Sequence, residues 1–298
     1  MPEHNNDPHA NMGNYNPRPN LGNTPSHDDI RTSLQIGRPS DAEAVTDHQE
    51  IPHKIRLDIR QDQAFLDLYQ KLHNTSGSDM KQTDLQIFFR GDSRGESQSP
   101  SAWLAAVFTQ MFDPNLALFA PTPADGRVMH PSEYSGCNPQ HLPVFRFAGK
   151  MVGLAMRAKV TLPVRLSRAV LRRMLLVEAV DIAFEDLMED LRLFDLERYD
   201  MLVNVLEKEI PPGLTFSIES ERFGAVKVFD LLEDGRNALV NEGNKREYVR
   251  CVAEWLLFRS VEQQHDAFAQ GVHDIVSNVE LSQGQGIEER QGLMTREC

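Results

Sequence analysis

The sequence predicts an α+β chain, mainly helical, with a small strand-bearing unit set into it. Three observations carry this. Apolar residues recur at three- and four-residue spacing through most of residues 55 to 276, as the faces of packed helices require. Strict alternation is confined to short runs near the start of that region and after Pro211-Pro212-Gly213. No internal repeat is visible.

Residues 1–50 are rich in Asn, Pro, His, Asp and Gly, with Leu34 and Ile36 isolated among them. Such a segment buries too little apolar surface to offset chain entropy and is expected to be a disordered tail. The globular part is expected over 51–276. Ile55, Leu57 and Ile59 alternate as in a short strand, Phe65, Leu66, Leu68, Tyr69 and Leu72 suit a helix, and Leu85, Ile87 and Phe89 alternate again. Ser99-Pro100 is a helix start, the serine as cap and the proline in the first helical position. Trp103, Leu104, Val107, Phe108 and Met111 follow on one face until Pro114. The turn Asn138-Pro139 leads into a long helix carrying Val144, Phe145, Ala148, Met151, Val152 and Ala155. Gly149 and Gly153 lie four apart on it. A glycine costs roughly 1 kcal/mol against alanine inside a helix, so two in one register predict that a neighbouring backbone comes close.

A second apolar helix spans Ser167 to Leu176. The segment Ile182–Leu191 pairs an apolar side, Phe184, Leu187, Met188 and Leu191, with Glu185, Asp186, Glu189 and Asp190 as a solvated face. Asp195 caps the next helix, with Leu196, Tyr199, Leu202, Val203 and Leu206. Leu214–Ile218 alternates as a strand, Phe223-Gly224 breaks it, Val226, Val228 and Phe229 form a second strand, and Asp234-Gly235 marks a turn. Asn241 is a candidate N-cap for the helix of Tyr248, Val249, Val252 and Trp255. Ser260 to Gln263 reads as a capping box before a helix with Val261, Gln264, His265, Phe268, Val272 and Ile275. The residues 277–298, rich in Gln, Gly, Glu and Arg, are expected to be an unstructured tail.

A net charge of -13 disfavours a nucleic-acid or anionic-membrane binder, since phosphates call for Lys and Arg. No apolar run approaches the roughly 18 residues of a spanning helix, and the first residues lack the order of a secretory signal. Cys137, Cys251 and Cys298 lie far apart without a Cys-x-x-Cys, which argues against a disulfide framework or zinc site and for a reducing compartment, cytoplasmic or nuclear. The ten histidines show no metal spacing, and His141 and His265 are read as structural. No His-Glu-x-x-His, Gly-x-Ser-x-Gly or phosphate loop is present, so no cofactor and no metal is expected.

The run Asn-Pro-x-His-Leu-x-x-Phe-x-Phe-x-Gly-x-x-x-Gly-x-Ala at 138–155 resembles the signature of the HECT-type ubiquitin ligases, specifically the N-terminal lobe of their HECT domain. Ile-x-Phe-x-Gly-Asp at 87–92, Asn-x-x-Asn-Lys-x-Glu-Tyr-Val at 241–249 and a Glu-Gln…Ala-Phe-x-x-Gly run ending at Gly271 match in the same order. The likeness covers about residues 55–276 and departs from the family's glycine-rich turn at 93–100. It implies a HECT N-lobe-like fold whose smaller subdomain, about 178–258, binds a ubiquitin-conjugating enzyme, with ubiquitin and protein substrates as further partners. The docking residues carried across by position are Tyr199, Leu202, Pro212, Leu214, Tyr248 and Val252. Pro212 departs from the long apolar residue common at its place.

In that family ubiquitin passes from the conjugating enzyme to a cysteine on a separate C-terminal lobe and then to a substrate lysine. That transfer needs an accessible thiol whose surroundings favour the thiolate. Cys137 sits in the signature turn, Cys251 within the Tyr248 helix, and Cys298 follows Arg-Glu; none matches the family's setting. The expectation is therefore no catalytic residue in this chain: a ligase by descent in truncated form, inactive alone, or a binding module or decoy that captures a conjugating enzyme.

Overall fold

The structure is a computed structural model that describes residues 54–93, 95–175, 182–222, 224–277 and 280–281. The tail expected over 1–50 and most of that expected over 277–298 lie outside the described residues.

Strand β1 (Lys54–Ile59) pairs in parallel with β2 (Asp84–Phe89), Leu57 opposite Ile87. Two helices make the crossover, α1 (Ala64–Leu72) and α2 (Gly77–Gln82). The Ser76 hydroxyl caps α2 by accepting from Asp79 N at 3.0 Å. Helix α3 (Pro100–Met111) starts as expected, with Ser99 Oγ accepting from Ala102 N. A 3-10 turn at Pro114–Leu116 leads to β3 (Phe119–Pro121), antiparallel to β4 (Val128–Pro131), which takes β5 (Arg165–Leu166) in parallel on its other side. Helix α4 (His141–Ala158) carries the glycine pair. Then come α5 (Arg168–Leu175), α6 (Phe184–Phe194) and α7 (Leu196–Glu207), the last capped by the Asp195 carboxylate, which accepts from Arg198 N at 3.0 Å. The hairpin β6 (Ser217–Arg222) and β7 (Ala225–Asp230), with Gly224 in the left-handed region at its turn, precedes α8 (Lys245–Leu257) and α9 (Glu262–Ile275). The fold is α+β and mainly helical.

Two apolar cores result. The first gathers residues from β1 to α5 and is completed by Phe268, Val272 and Ile275 of α9. The second lies in the sequence between those two parts and holds Leu187 and Leu191 of α6, Leu202 of α7, Phe216, and Tyr248, Val249 and Val252 of α8. Helices α4 and α9 cross at contact distance, as the glycine pair predicts. A Cβ on Gly149 would stand 2.0 Å from the Phe268 carbonyl oxygen, and one on Gly271 would stand 1.9 Å from that of Arg146. Arg146 and Asp274 then pair across the crossing at 2.9 and 3.0 Å.

Four sequence expectations change. The strand expected over Leu214–Ile218 starts later, at Ser217, because Phe216 N bonds Ala238 O at 3.0 Å and Thr215 bridges Leu239. Asn241 does not cap α8; it sits in the preceding turn, its own N–H donating to Asn244 Oδ1 at 2.7 Å, and the helix begins at Lys245. The Ser260 capping box is replaced by a 3-10 turn over Arg259–Val261, and α9 starts at Glu262 with no side-chain cap bond. Leu281, expected in the tail, is 3% exposed in the first core.

Candidate functional site

The six residues assigned to the docking surface fall on three elements of the second core. Tyr199 and Leu202, three apart on α7, share a helix face. Tyr248 and Val252, four apart on α8, share another. Pro212 and Leu214 lie in the connection between α7 and β6.

Packing sorts them into a floor, a rim and an outlier. Leu202, Tyr248 and Val252 are the floor, at 5%, 8% and 4% exposure. The Tyr248 ring meets Phe216 edge-on at 5.6 Å and 89°, the favourable arrangement for two aromatic quadrupoles. A phenol suits a wet edge, yet this one is buried, and burial pushes its hydroxyl up from its ordinary value while nearby Arg198 pulls it slightly back. Tyr199 and Leu214 are half-buried and pack against the same core. Pro212 is exposed and outside the core.

The second core also exposes apolar residues that sequence reasoning passed over. Leu239 is 62% exposed and Met201 48%. Leu239 is paired with Thr215, so its side chain leaves the backbone on the face opposite Leu214 and Val240, where the Val240 N–H donates to the Leu214 carbonyl at 2.8 Å. Nothing in the local sequence marks this pairing, which is long-range. The floor and the rim make an apolar surface with aromatic and aliphatic anchors, the composition of a protein interface centre.

The expected solvated acidic face is corrected at one position. Glu185 and Glu189 are ion-paired near the surface, to Arg246 and Arg192, each at 2.7 Å. Asp190 is buried at 1% exposure. Its carboxylate pairs with Arg168 Nε at 3.0 Å and with Arg172 through Nε and, at 3.3 Å, Nη2. Burial pushes the Asp190 carboxyl up, against the pull of both guanidiniums.

Cys137 ends the 3-10 turn Glu133–Cys137, Cys251 lies within α8, and both are half-buried and unpaired. Burial is the largest influence on each and pushes both thiols up, away from the thiolate that a nucleophile needs. Cys298 lies outside the described residues. His141 Nδ1 contacts Ser135 Oγ at 3.1 Å, and that hydroxyl also accepts from Gln264 Nε2 at 3.1 Å. His265 is 2% exposed and meets the buried His130 ring at 5.0 Å, so both act within the packing. Among the described residues no three His, Cys, Asp or Glu side chains are grouped to hold a metal ion. No helix of these residues is long and apolar enough to cross a membrane.

Comparison with known proteins adds a family. The model of the HECT-domain (ubiquitin-transferase) matches residues 105–285, running past Val276 where the sequence likeness was expected to end. The chain is 35% identical over 239 residues to the E3 ubiquitin-protein ligase TOM1 of Saccharomyces cerevisiae, covering 79% of this chain and 7% of that protein. It is 31% identical over 229 residues to E3 ubiquitin-protein ligase RSP5 of the same yeast, covering 76% of this chain and 27% of RSP5. To E3 ubiquitin-protein ligase HUWE1 of Mus musculus it is 32% identical over 225 residues, covering 73% of this chain and 5% of HUWE1. The chain thus spans less than a third of each of these relatives.

Proposed function

The chain belongs to the HECT-domain (ubiquitin-transferase) family, and from that premise we propose that its second core docks a ubiquitin-conjugating enzyme as the receiving step of HECT-type ubiquitin ligation. The observation that carries this reading is the apolar rim of Tyr199 and Leu214 over the Leu202–Tyr248–Val252 floor. The floor sets the rim's shape. The rim makes contact. In the complete reaction a thiolate attacks the ubiquitin thioester carbonyl and the conjugating enzyme's sulfur leaves; a lysine amine of the substrate later attacks the new thioester, forming an amide as that thiolate leaves and the amine loses its proton. The unpaired Cys137 and Cys251 suit a reducing compartment, and we place the protein in the cytoplasm or nucleus on that ground.

The test is a binding titration of the chain against a panel of ubiquitin-conjugating enzymes. Tyr199→Ala and Leu214→Ala are each expected to raise Kd about tenfold, roughly 1.4 kcal/mol. Pro212→Ala, outside the core, is expected to change it less than about twofold. Wild-type affinity in both rim variants, or binding to no conjugating enzyme at all, sinks the docking role.

Mixing the chain with a ubiquitin-charged conjugating enzyme on a non-reducing gel is expected to yield no reducible ubiquitin adduct at Cys137 or Cys251, since both thiols are pushed up by burial. An adduct that disappears in the Cys137→Ser or Cys251→Ser variant would contradict this.

A further inference from the structure

Helix α5 belongs to both cores. Val170, Leu171 and Met174 pack into the first, and Ala169 packs into the second. Its charged residues divide in the same way. Arg173 pairs with Asp266 of α9, Nε to Oδ1 at 2.7 Å, on the side of the first core. Arg168 and Arg172, four apart and therefore on one face, both reach Asp190 of α6, on the side of the second. The three side chains are 15%, 11% and 0% exposed.

A stability argument does not account for this triad. Buried ion networks are often no better than apolar residues of the same volume, because desolvation offsets the Coulombic gain. Arg168, as the first residue of α5, also sits at the positive end of the helix dipole, where a cation is disfavoured. What charges supply and apolar contacts do not is direction. Arg172 donates two N–H groups to the Asp190 carboxylate, which fixes distance and angle, and Arg168 holds a second charge 3.0 Å from Oδ1.

Other contacts across the seam between the cores are of a looser kind, among them Ser220 Oγ donating to Glu133 Oε2 at 3.4 Å. Ala124 N donates to Phe194 O at 3.0 Å. The His130 ring meets Phe194 at 4.8 Å, and Tyr134 donates to Glu221 O at 3.2 Å. The aromatic contact tolerates sliding, and each hydrogen bond is single.

We propose that Asp190, with Arg168 and Arg172, is a positioning device that sets the angle of the second core on the first. Its consequence for transfer rests on the proposed docking role: the angle decides where a docked conjugating enzyme presents its thioester. The angle itself is a property of this chain and is measured with no partner present.

The test uses the full chain with its three cysteines changed to serine and spin labels on Ala105→Cys of α3 and Glu207→Cys of α7. Both positions are exposed, one on each core. Pulsed dipolar spectroscopy on the otherwise unchanged chain is expected to give one narrow distance. Asp190→Asn is expected to broaden the distribution to about twice its width or more, as other angles become populated, and Asp190→Glu to recover most of the narrowing.

A second variant guards against simple unfolding. Arg168→Met/Arg172→Met/Asp190→Leu removes all three charges and is expected to keep a cooperative melt while showing the same broadening. Affinity for a conjugating enzyme, where one binds, is expected to stay within about twofold, because the rim lies elsewhere. Wild-type width in the apolar variant overturns the proposal, whether or not Asp190→Asn folds. Failure to bind any conjugating enzyme removes the docking role and leaves the distance result standing.

Discussion

Gly149→Ala and Gly271→Ala are each expected to lower the free energy of unfolding by about 3 kcal/mol or more, the upper range of overpacking. The sign is diagnostic, because helix propensity alone points the other way. Alanine is favoured over glycine inside a helix by roughly 1 kcal/mol, so an uncrowded site would be stabilised. At Gly149 the added carbon would stand 2.0 Å from the Phe268 carbonyl oxygen and 2.9 Å from Val272 N. At Gly271 it would stand 1.9 Å from the Arg146 carbonyl oxygen. Those atoms are backbone and cannot rotate away, so the helices must move apart and the first core opens along α4 and α9. A loss of about 3 kcal/mol corresponds to a fall of roughly 10 °C in Tm for a domain of this size, read by circular dichroism on heating. Gly136→Ala is the control: nothing lies within 4 Å of its would-be Cβ, and its Tm is expected to hold. A rise in Tm for Gly149→Ala would show that the crossing has room.

The second large effect is acid lability well above the carboxylate range. His130 and His265 are both buried, at 6% and 2% exposure, and their rings meet edge-on at 5.0 Å. The Nδ1 of His130 contacts Ser167 Oγ at 2.8 Å. His265 has no hydrogen-bond partner for either ring nitrogen among the described residues. Burial pushes His130 down to about 3. It also takes His265 well below its ordinary value, with the His130 and Arg173 charges acting in the same direction. Both rings are neutral in the folded chain, whereas the unfolded chain binds protons near pH 6.5. Stability is therefore full above that value and is lost as pH falls from it toward the folded values. Each histidine contributes a slope of up to about 1.4 kcal/mol per pH unit, so the pair loses stability together as pH falls from 7 toward 5. His141 and His273, also pulled down by burial, add in the same sense. Urea unfolding across that range reads the loss, and His265→Leu is expected to remove about half of the pair's share. Equal pH slopes in the two proteins would refute the assignment.

The sequence and the fold agree where side-chain identity is itself the local signal. The apolar period of α4 names its buried face. Its two glycines, costly in any exposed helix, announced the close neighbour that proved to be α9. Asp195 announced a cap because a short carboxylate before an apolar-periodic run has few other uses. Disagreement follows where the deciding partner is distant. Asp190 sits among Glu185, Asp186 and Glu189 and reads as one more solvated acid; only Arg168 and Arg172, on another helix, explain its burial. Strand β6 was misplaced because its ladder runs on through Glu219 and Glu221, exposed residues with no alternating apolar mark. Of the candidate docking residues, spacing puts Tyr248 and Val252 on one helix face. The burial of Tyr248 follows from Phe216, whose place depends on the pairing of Thr215 with Leu239, a contact no local pattern encodes.

The first core is discontinuous along the chain: α4 ends at Ala158 and α9, which covers its glycines, begins at Glu262. On a ribosome the intervening segment emerges first and can collapse around α6, α7 and α8 by nearby contacts alone. The glycine-bearing face of α4 must meanwhile wait, bare, for a helix not yet synthesised, and closing so long a loop is slow. Vectorial growth thus leaves one half of the molecule finished while the other is still open, and it is the open half that nascent-chain chaperones would find to hold.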